Sequence, residues 1–186
     1  MALHINIFGA PGSGKSTMRS RLFYELKKQQ LKVEEVVEYA KELTYGEDGV
    51  KLSDQILMFG KQRHPHFVLD KKVDYVITDS PFIMGFTYVD DSVDYKDELK
   101  SLMLKVHNSY DTLNIFINRN HKYQEFGRSQ TEEESDEKAL EIKTLLNECN
   151  IEFYEMKSGE ETIEKVLNII KNKENVKQAI GRLNNE

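Results

Sequence analysis

Nine consecutive residues, Gly9-Ala10-Pro11-Gly12-Ser13-Gly14-Lys15-Ser16-Thr17, restrict this chain more than any other stretch. Their pattern, G-x-x-x-x-G-K-[ST], puts glycines where a backbone must take positive φ and let a ligand come close. The flanks agree with it. His4-Ile5-Asn6-Ile7-Phe8 alternates like a short buried strand, and Met18, Leu22, Phe23 and Leu26 then fall on one helical face. A strand, a glycine-rich turn and a helix start, in this order, aim backbone N–H groups at a polyphosphate. The motif assigns Lys15 to the β- and γ-phosphates and the Ser16 hydroxyl to Mg²⁺. The expectation is a nucleoside triphosphate held by Gly9 through Thr17.

Composition narrows the class further. A chain of 186 residues, 39% hydrophobic, suits one compact domain over 1–186 rather than two. The net charge of −6 argues against a broad nucleic-acid surface, although a local basic groove stays open. A single cysteine, Cys149, has no partner for an internal disulfide and is expected to pack against a helix in a reducing compartment. No apolar run approaches the roughly 18 residues that span a bilayer. A cytoplasmic protein is expected.

Strand-like and helix-like segments alternate along the chain. Residues 32–37 read as a second strand ending at Glu38-Tyr39-Ala40. A helix follows from about Ser53, whose hydroxyl is placed to cap it, and Pro65 should break or kink it. Residues 73–78 form a third strand, 92–108 a helix, and 113–117 a fourth strand. After a polar stretch over 118–130, Thr131 and Glu134 have the spacing of a capping box. Ala139, Ile142, Leu146 and Cys149 form that helix's buried face. Residues 151–154 read as a fifth strand, and Ile163, Val166, Leu167 and Ile170 mark the next helix. The tail over 173–186 is either a docked terminal helix or frayed. This alternation predicts an α/β fold, a doubly wound five-stranded parallel sheet with ligands at the carboxyl ends of its strands.

Phosphoryl transfer needs a phosphate cradle, a metal, an oriented hydroxyl and positive charge on the migrating group. Asp79, just past the third strand, stands where an acid binds Mg²⁺ directly or through water; its alternative is to cap the Ser80-Pro81 turn. Glu38 ends the second strand in the same way and is placed to take the acceptor's proton, or else is one more solvent-facing acid beside Glu34 and Glu35. Arg119, Lys122 and Arg128 fall in the stretch after the fourth strand, where Gly127-Arg128 suggests a flap over the phosphates. Tyr39, Gln55, Phe59, Gln62, Phe82 and Tyr88 are candidates for an acceptor pocket, with Gln55 and Gln62 two turns apart on one helix face. His64 and His66 straddle Pro65 without the company that a metal site requires.

These elements together resemble the ribosylnicotinamide-kinase-like group of small P-loop kinases, an AAA-type group with many bacteriophage members. The resemblance rests on the loop itself, Glu38-Tyr39-Ala40, Ser53-Asp54-Gln55 with Phe59-Gly60-Lys61-Gln62, and Ile77-Thr78-Asp79-Ser80-Pro81. Asn118-Arg119 and Tyr123-x-x-x-Gly127-Arg128-x-Gln130 extend it to about Ile170. It implies a P-loop kinase fold with a lid over 118–130 and ATP- and Mg²⁺-dependent phosphorylation of a hydroxyl. In that reading Arg119 joins the nucleotide site and Arg128 acts in catalysis. The acceptor is a nucleoside or nucleotide. Phage kinases acting on hydroxymethylated pyrimidines in DNA look similar, so DNA is an alternative acceptor, which would need a basic channel such as Lys61, Arg63, Lys71 and Lys72. A third reading is an ATPase or switch that moves a partner. Against it, Asp79 is followed by Ser80 rather than by a glutamate that would activate water.

Overall fold

The computed structural model describes residues 1–124 and 130–183. Strands β1 (Leu3–Phe8), β2 (Val33–Val36), β3 (Tyr75–Thr78), β4 (Asp111–Asn118) and β5 (Tyr154–Lys157) form one sheet in the order β2-β3-β1-β4-β5. Every pairing is parallel. Helices α1 (Lys15–Lys28), α2 (Tyr39–Tyr45), α3 (Gly49–Ser53), α4 (Gln55–Leu69), α5 (Lys96–His107), α6 (Glu132–Glu148) and α7 (Glu160–Leu183) connect and cover it, with a 3-10 helix at Phe82–Tyr88.

Both faces of the inner strands β1, β3 and β4 are largely buried, and alternate residues of each point to opposite sides. Leu3, Ile5 and Ile7 of β1 pack with Met18, Leu22 and Leu26 of α1 and with Ile163, Val166 and Ile170 of α7. Phe8 and Phe116 face the other way, onto Ile83 and Met84 of the 3-10 helix, Met103 of α5, and Ile142 and Leu146 of α6. His4 shares that second face and meets His66 of α4, the two Nδ1 atoms 2.9 Å apart, while its Nε2 lies 3.1 Å from Asp70 Oδ1. With Nε2–H given to Asp70, His4 Nδ1 accepts and His66 Nδ1–H donates. His66 is therefore a core residue. Among the described residues no helix is long and apolar enough to cross a membrane.

Several local expectations need correction. Two short helices, α2 and α3, lie between β2 and α4, where no element was expected. Asp54, not Ser53, caps α4 by accepting from Leu57 N at 3.0 Å; the Ser53 hydroxyl donates to Val50 O instead. Pro65 does not end α4, which runs through it to Leu69. A proline inside a helix costs about 3 kcal/mol. Here Gln62 and His66, both buried, anchor the helix on either side of it. The fifth strand is Tyr154–Lys157, three residues later than the apolar run suggests, while Ile151 and Phe153 pack into the second core. The Thr131–Glu134 capping box is present as expected. So is the burial of Ile142 and Leu146, with Ala139 and Cys149 packed beside them. The chain past Lys173 continues α7 to Leu183.

Candidate active site

A parallel sheet brings all its strand ends to one edge, so the turns after β1, β2, β3, β4 and β5 share a rim. Between β1 and α1, Gly9, Gly12 and Gly14 hold φ values of 145°, 76° and 96°. A Cβ on Gly9 would stand 2.6 Å from Ile117 O and 2.7 Å from Ser13 Oγ, so this glycine is required by space as well as by φ. Gly14 begins α1, which has no side-chain cap among the described residues and no acidic residue in its first turn. A helix start without a side-chain cap or a nearby acid favours an anion through its dipole. The Ser13 hydroxyl is buried with no hydrogen-bond partner among the described residues. Lys15 Nζ donates to Ala10 O at 2.8 Å, folding its ammonium back over the loop. The unpartnered Ser13 hydroxyl, a cradle that a Cβ would fill and an ammonium fit a polyphosphate. Ser16 and Thr17 complete the first turn of the helix.

The loop is held from behind by α6. Ser135 Oγ donates to Pro11 O at 2.7 Å, and Arg119 Nη1 stands 3.4 Å from the same hydroxyl. Arg119 is further engaged by Asp136 at 2.6 Å and Glu132 at 3.1 Å, and its guanidinium lies 5.1 Å from the Tyr123 ring centroid. The structure thus places Arg119 beside the loop, tied to the start of α6. Gly127 and Arg128 lie outside the described residues.

Two carboxylates approach from the neighbouring strand ends. Asp79, 3% exposed after β3, accepts from Arg19 Nη1 at 2.9 Å. Glu38, half-buried after β2, has its carboxyl pushed up by burial, pulled down by Lys15 and pushed up again by Asp79. Glu38 therefore feels charge from both neighbouring strand ends, that of Lys15 and that of Asp79. Tyr88, from the end of the 3-10 helix, is 44% exposed as a whole, but desolvation at its hydroxyl and the negative charge of Glu38 and Glu141 push it up to about 12. Its hydroxyl stays protonated, a donor near Glu38.

The acceptor-side candidates divide by what they already touch. Gln62 is buried and holds the end of β2, its Oε1 accepting from Tyr39 N at 3.0 Å and its Nε2 donating to Val37 O. Gln55 Nε2 donates to Leu52 O at 2.7 Å, and its Oε1 faces Gly85 of the 3-10 helix. Phe82 is 6% exposed and makes edge contacts with Phe59, His66 and Tyr110. Phe59 is only partly buried, and Tyr39 sits 5.9 Å from Lys61 Nζ. Tyr39, Gln55, Phe59 and Tyr88 are thus the members of this set with surface left for a ligand. Of the residues named for a basic channel, Lys61 and Arg63 lie on α4, and Lys71 and Lys72 follow its end. Arg63 lies over the Phe67 ring, while Lys71 and Lys72 sit past the far end of α4, about 15 Å from Lys61 at 1.5 Å per residue.

Sequence reasoning passed over Arg19 and Ser135. Arg19 lies on α1 one turn after Lys15, outside the loop motif, and Ser135 lies one turn into α6. The only signal for either was its helical spacing from a marked residue.

Fold and site together define a P-loop kinase fold. The chain belongs to the AAA domain family, which matches residues 4–162. No curated protein matches its sequence. Among solved structures, a NadR protein in complex with NR is similar at a TM-score of 0.61 and 16% identity, over 89% of this chain and 50% of that one. The chain thus spans half the length of that protein. A deoxyadenosine kinase from M. mycoides with bound dATP is similar at a TM-score of 0.51 and 21% identity, over 92% of this chain and 99% of that one. Likeness at these identities is likeness of fold.

Proposed function

We propose that this protein is a kinase that transfers the γ-phosphoryl group of ATP, with Mg²⁺, to a hydroxyl of a nucleoside- or nucleotide-like acceptor. The observation that carries this reading is the phosphate cradle itself: Gly9, Gly12 and Gly14 at positive φ before a helix start without a side-chain cap, with the Lys15 ammonium folded over the loop. The two solved structures of the same fold hold NR and dATP, ligands of the proposed class.

When bound, ATP supplies the phosphoryl group, and Mg²⁺ neutralises charge on its phosphates. Gly9 through Thr17 bind the triphosphate through backbone N–H groups, with Lys15 leaving Ala10 O for the β- and γ-oxygens. Ser16 and Asp79 are the residues that would hold the cation. Glu38 takes the acceptor's proton; a carboxyl raised by burial is a stronger base than a solvated one. Tyr88 donates to the acceptor or to Glu38. Tyr39 and Phe59 give a base its flat apolar contact, and Gln55 addresses its polar edge. Arg128 brings a further positive charge to the transferring group, and a reducing cytoplasm suits the unpaired Cys149.

The test is transfer of radiolabelled γ-phosphate from ATP to a panel of nucleosides, nucleotides, nicotinamide riboside and hydroxymethylated duplex DNA. Labelling of a free nucleoside or nucleotide supports the reading. Labelling of duplex DNA alone, with free nucleosides and nucleotides neither reacting nor inhibiting, replaces the small acceptor with a polynucleotide. ATP turnover without any acceptor replaces the kinase with an ATPase.

A further inference from the structure

Arg19 stands outside the loop motif, yet it is built into the site. Only 12% of its side chain is exposed, and its guanidinium reaches carboxylates of two adjacent strands. Nη1 donates to Asp79 Oδ1 at 2.9 Å. Nε lies 3.2 Å from Glu35 Oε2, close enough for an ion pair but without a hydrogen bond's alignment. Glu35 lies within β2, in register with Ile77 of β3, two residues before Asp79. One side chain from α1 therefore fastens β2 to the end of β3.

A cation held this deeply needs partners, and the two carboxylates supply them. The arrangement also acts on Asp79. A carboxylate with one oxygen bonded to a guanidinium attracts a divalent cation less strongly, and it presents its other oxygen in a restricted orientation. Glu35 competes for the same guanidinium. We propose that Arg19 is a positioning residue that sets how strongly, and in what orientation, Asp79 engages the Mg²⁺ of a Mg–nucleotide, with Glu35 drawing part of its charge away. This rests on the kinase reading only in taking a Mg–nucleotide to bind at this loop.

The two partners of Asp79's charge balance should then act with opposite sign. Removing Arg19 frees Asp79 and strengthens its hold on the cation. Removing the charge of Glu35 commits Arg19 to Asp79 and weakens it. Lysine at position 19 keeps one charge but lacks the fork that reaches two acids, so its effect falls between. A merely structural Arg19 has no such pattern.

The measurement is ATP binding by calorimetry at increasing Mg²⁺, which reads cation engagement without turnover. Arg19→Met should lower the half-saturating Mg²⁺ concentration about fivefold, and Glu35→Gln should raise it about two- to threefold, as expected for one neighbouring charge in a partly buried site. No shift in either variant, or shifts of the same sign, overturns the proposal. If Arg19→Met lacks a cooperative melt, Arg19→Lys and Glu35→Gln carry the same comparison of signs. Wild-type protein that binds no Mg–ATP overturns the kinase reading along with this one. Wild-type protein that binds it, with unshifted variants, overturns this inference alone.

Discussion

The hydroxyl of Ser135 donates to the carbonyl of Pro11 at 2.7 Å, joining α6 to the phosphate loop across 124 positions of sequence. Ser135 is fully buried, and its hydroxyl is the donor that the loop carbonyl would lose. Ser135→Ala should cost about 1–2 kcal/mol. That lowers the melting temperature by roughly 2–8 °C for a chain of this size. It should also loosen the loop and weaken ATP binding several-fold. A melt and an ATP titration on the same preparation check both; unchanged values for both mean that the contact is idle.

Gly9→Ala probes the loop from the other side. Its φ of 145° is strained for alanine, and the new Cβ would meet Ile117 O at 2.6 Å. The variant should lose about 1–3 kcal/mol of stability. Because the loop must shift to relieve the clash, ATP binding should fall more than at Ser135. Calorimetry at equal protein folding, checked by circular dichroism, separates the two effects.

Glu38 should govern the acid limb of turnover. Burial holds its carboxyl above the usual glutamate range, so it gains a proton, and activity is lost, at a higher pH than a solvated glutamate would allow. Glu38→Gln should depress turnover by 10²-fold or more and remove that limb. A pH–rate profile of the variant that keeps the wild-type acid limb assigns the limb to another group.

Much of this was legible in the residues. The loop motif, the alternation of β1 and the Thr131–Glu134 box are local patterns, and each lies where its spacing places it. What escaped was set by tertiary contact. Strand β5 is an edge strand with mostly exposed side chains, so it carries no apolar signal, whereas Ile151 and Phe153 carry one for packing beside it. Pro65 reads as a stop until Gln62 and His66 are seen to pin the helix around it. The Gln55–Gln62 spacing is correct for one face, but the hydrogen bonds of Gln62 to Tyr39 and Val37 come from the folded neighbour, not from the pattern. Arg19 and Ser135 touch the site through partners 60 and 124 positions away, which no local window contains.

The buried histidines make a separate prediction about acid. Burial, with the nearby imidazoles, holds His66 down at about 3 and His107 at about 4. Both stay neutral in the folded protein, while the unfolded chain takes protons below about 6.5. Their contribution is therefore complete above that pH and is lost as pH falls from 6.5 toward 4 and then 3, by up to about 1.4 kcal/mol per pH unit for each ring. Melting temperature should drop between pH 7 and 5, and His107→Gln should flatten the drop. A variant with the wild-type slope would remove His107 from the linkage.

The central claim is that the loop works in transfer to a hydroxyl, and Lys15 tests it most directly. Lys15 already reaches across the loop to Ala10 O, from which it can turn to the phosphates. Labelled γ-phosphate from ATP should pass to a nucleoside-like acceptor in the wild-type protein. In a folded Lys15→Ala variant, with its melt confirmed, transfer should fall by 10²-fold or more, because the charge developing on the phosphoryl group loses its ammonium. Near-normal transfer by that folded variant would contradict the site as drawn.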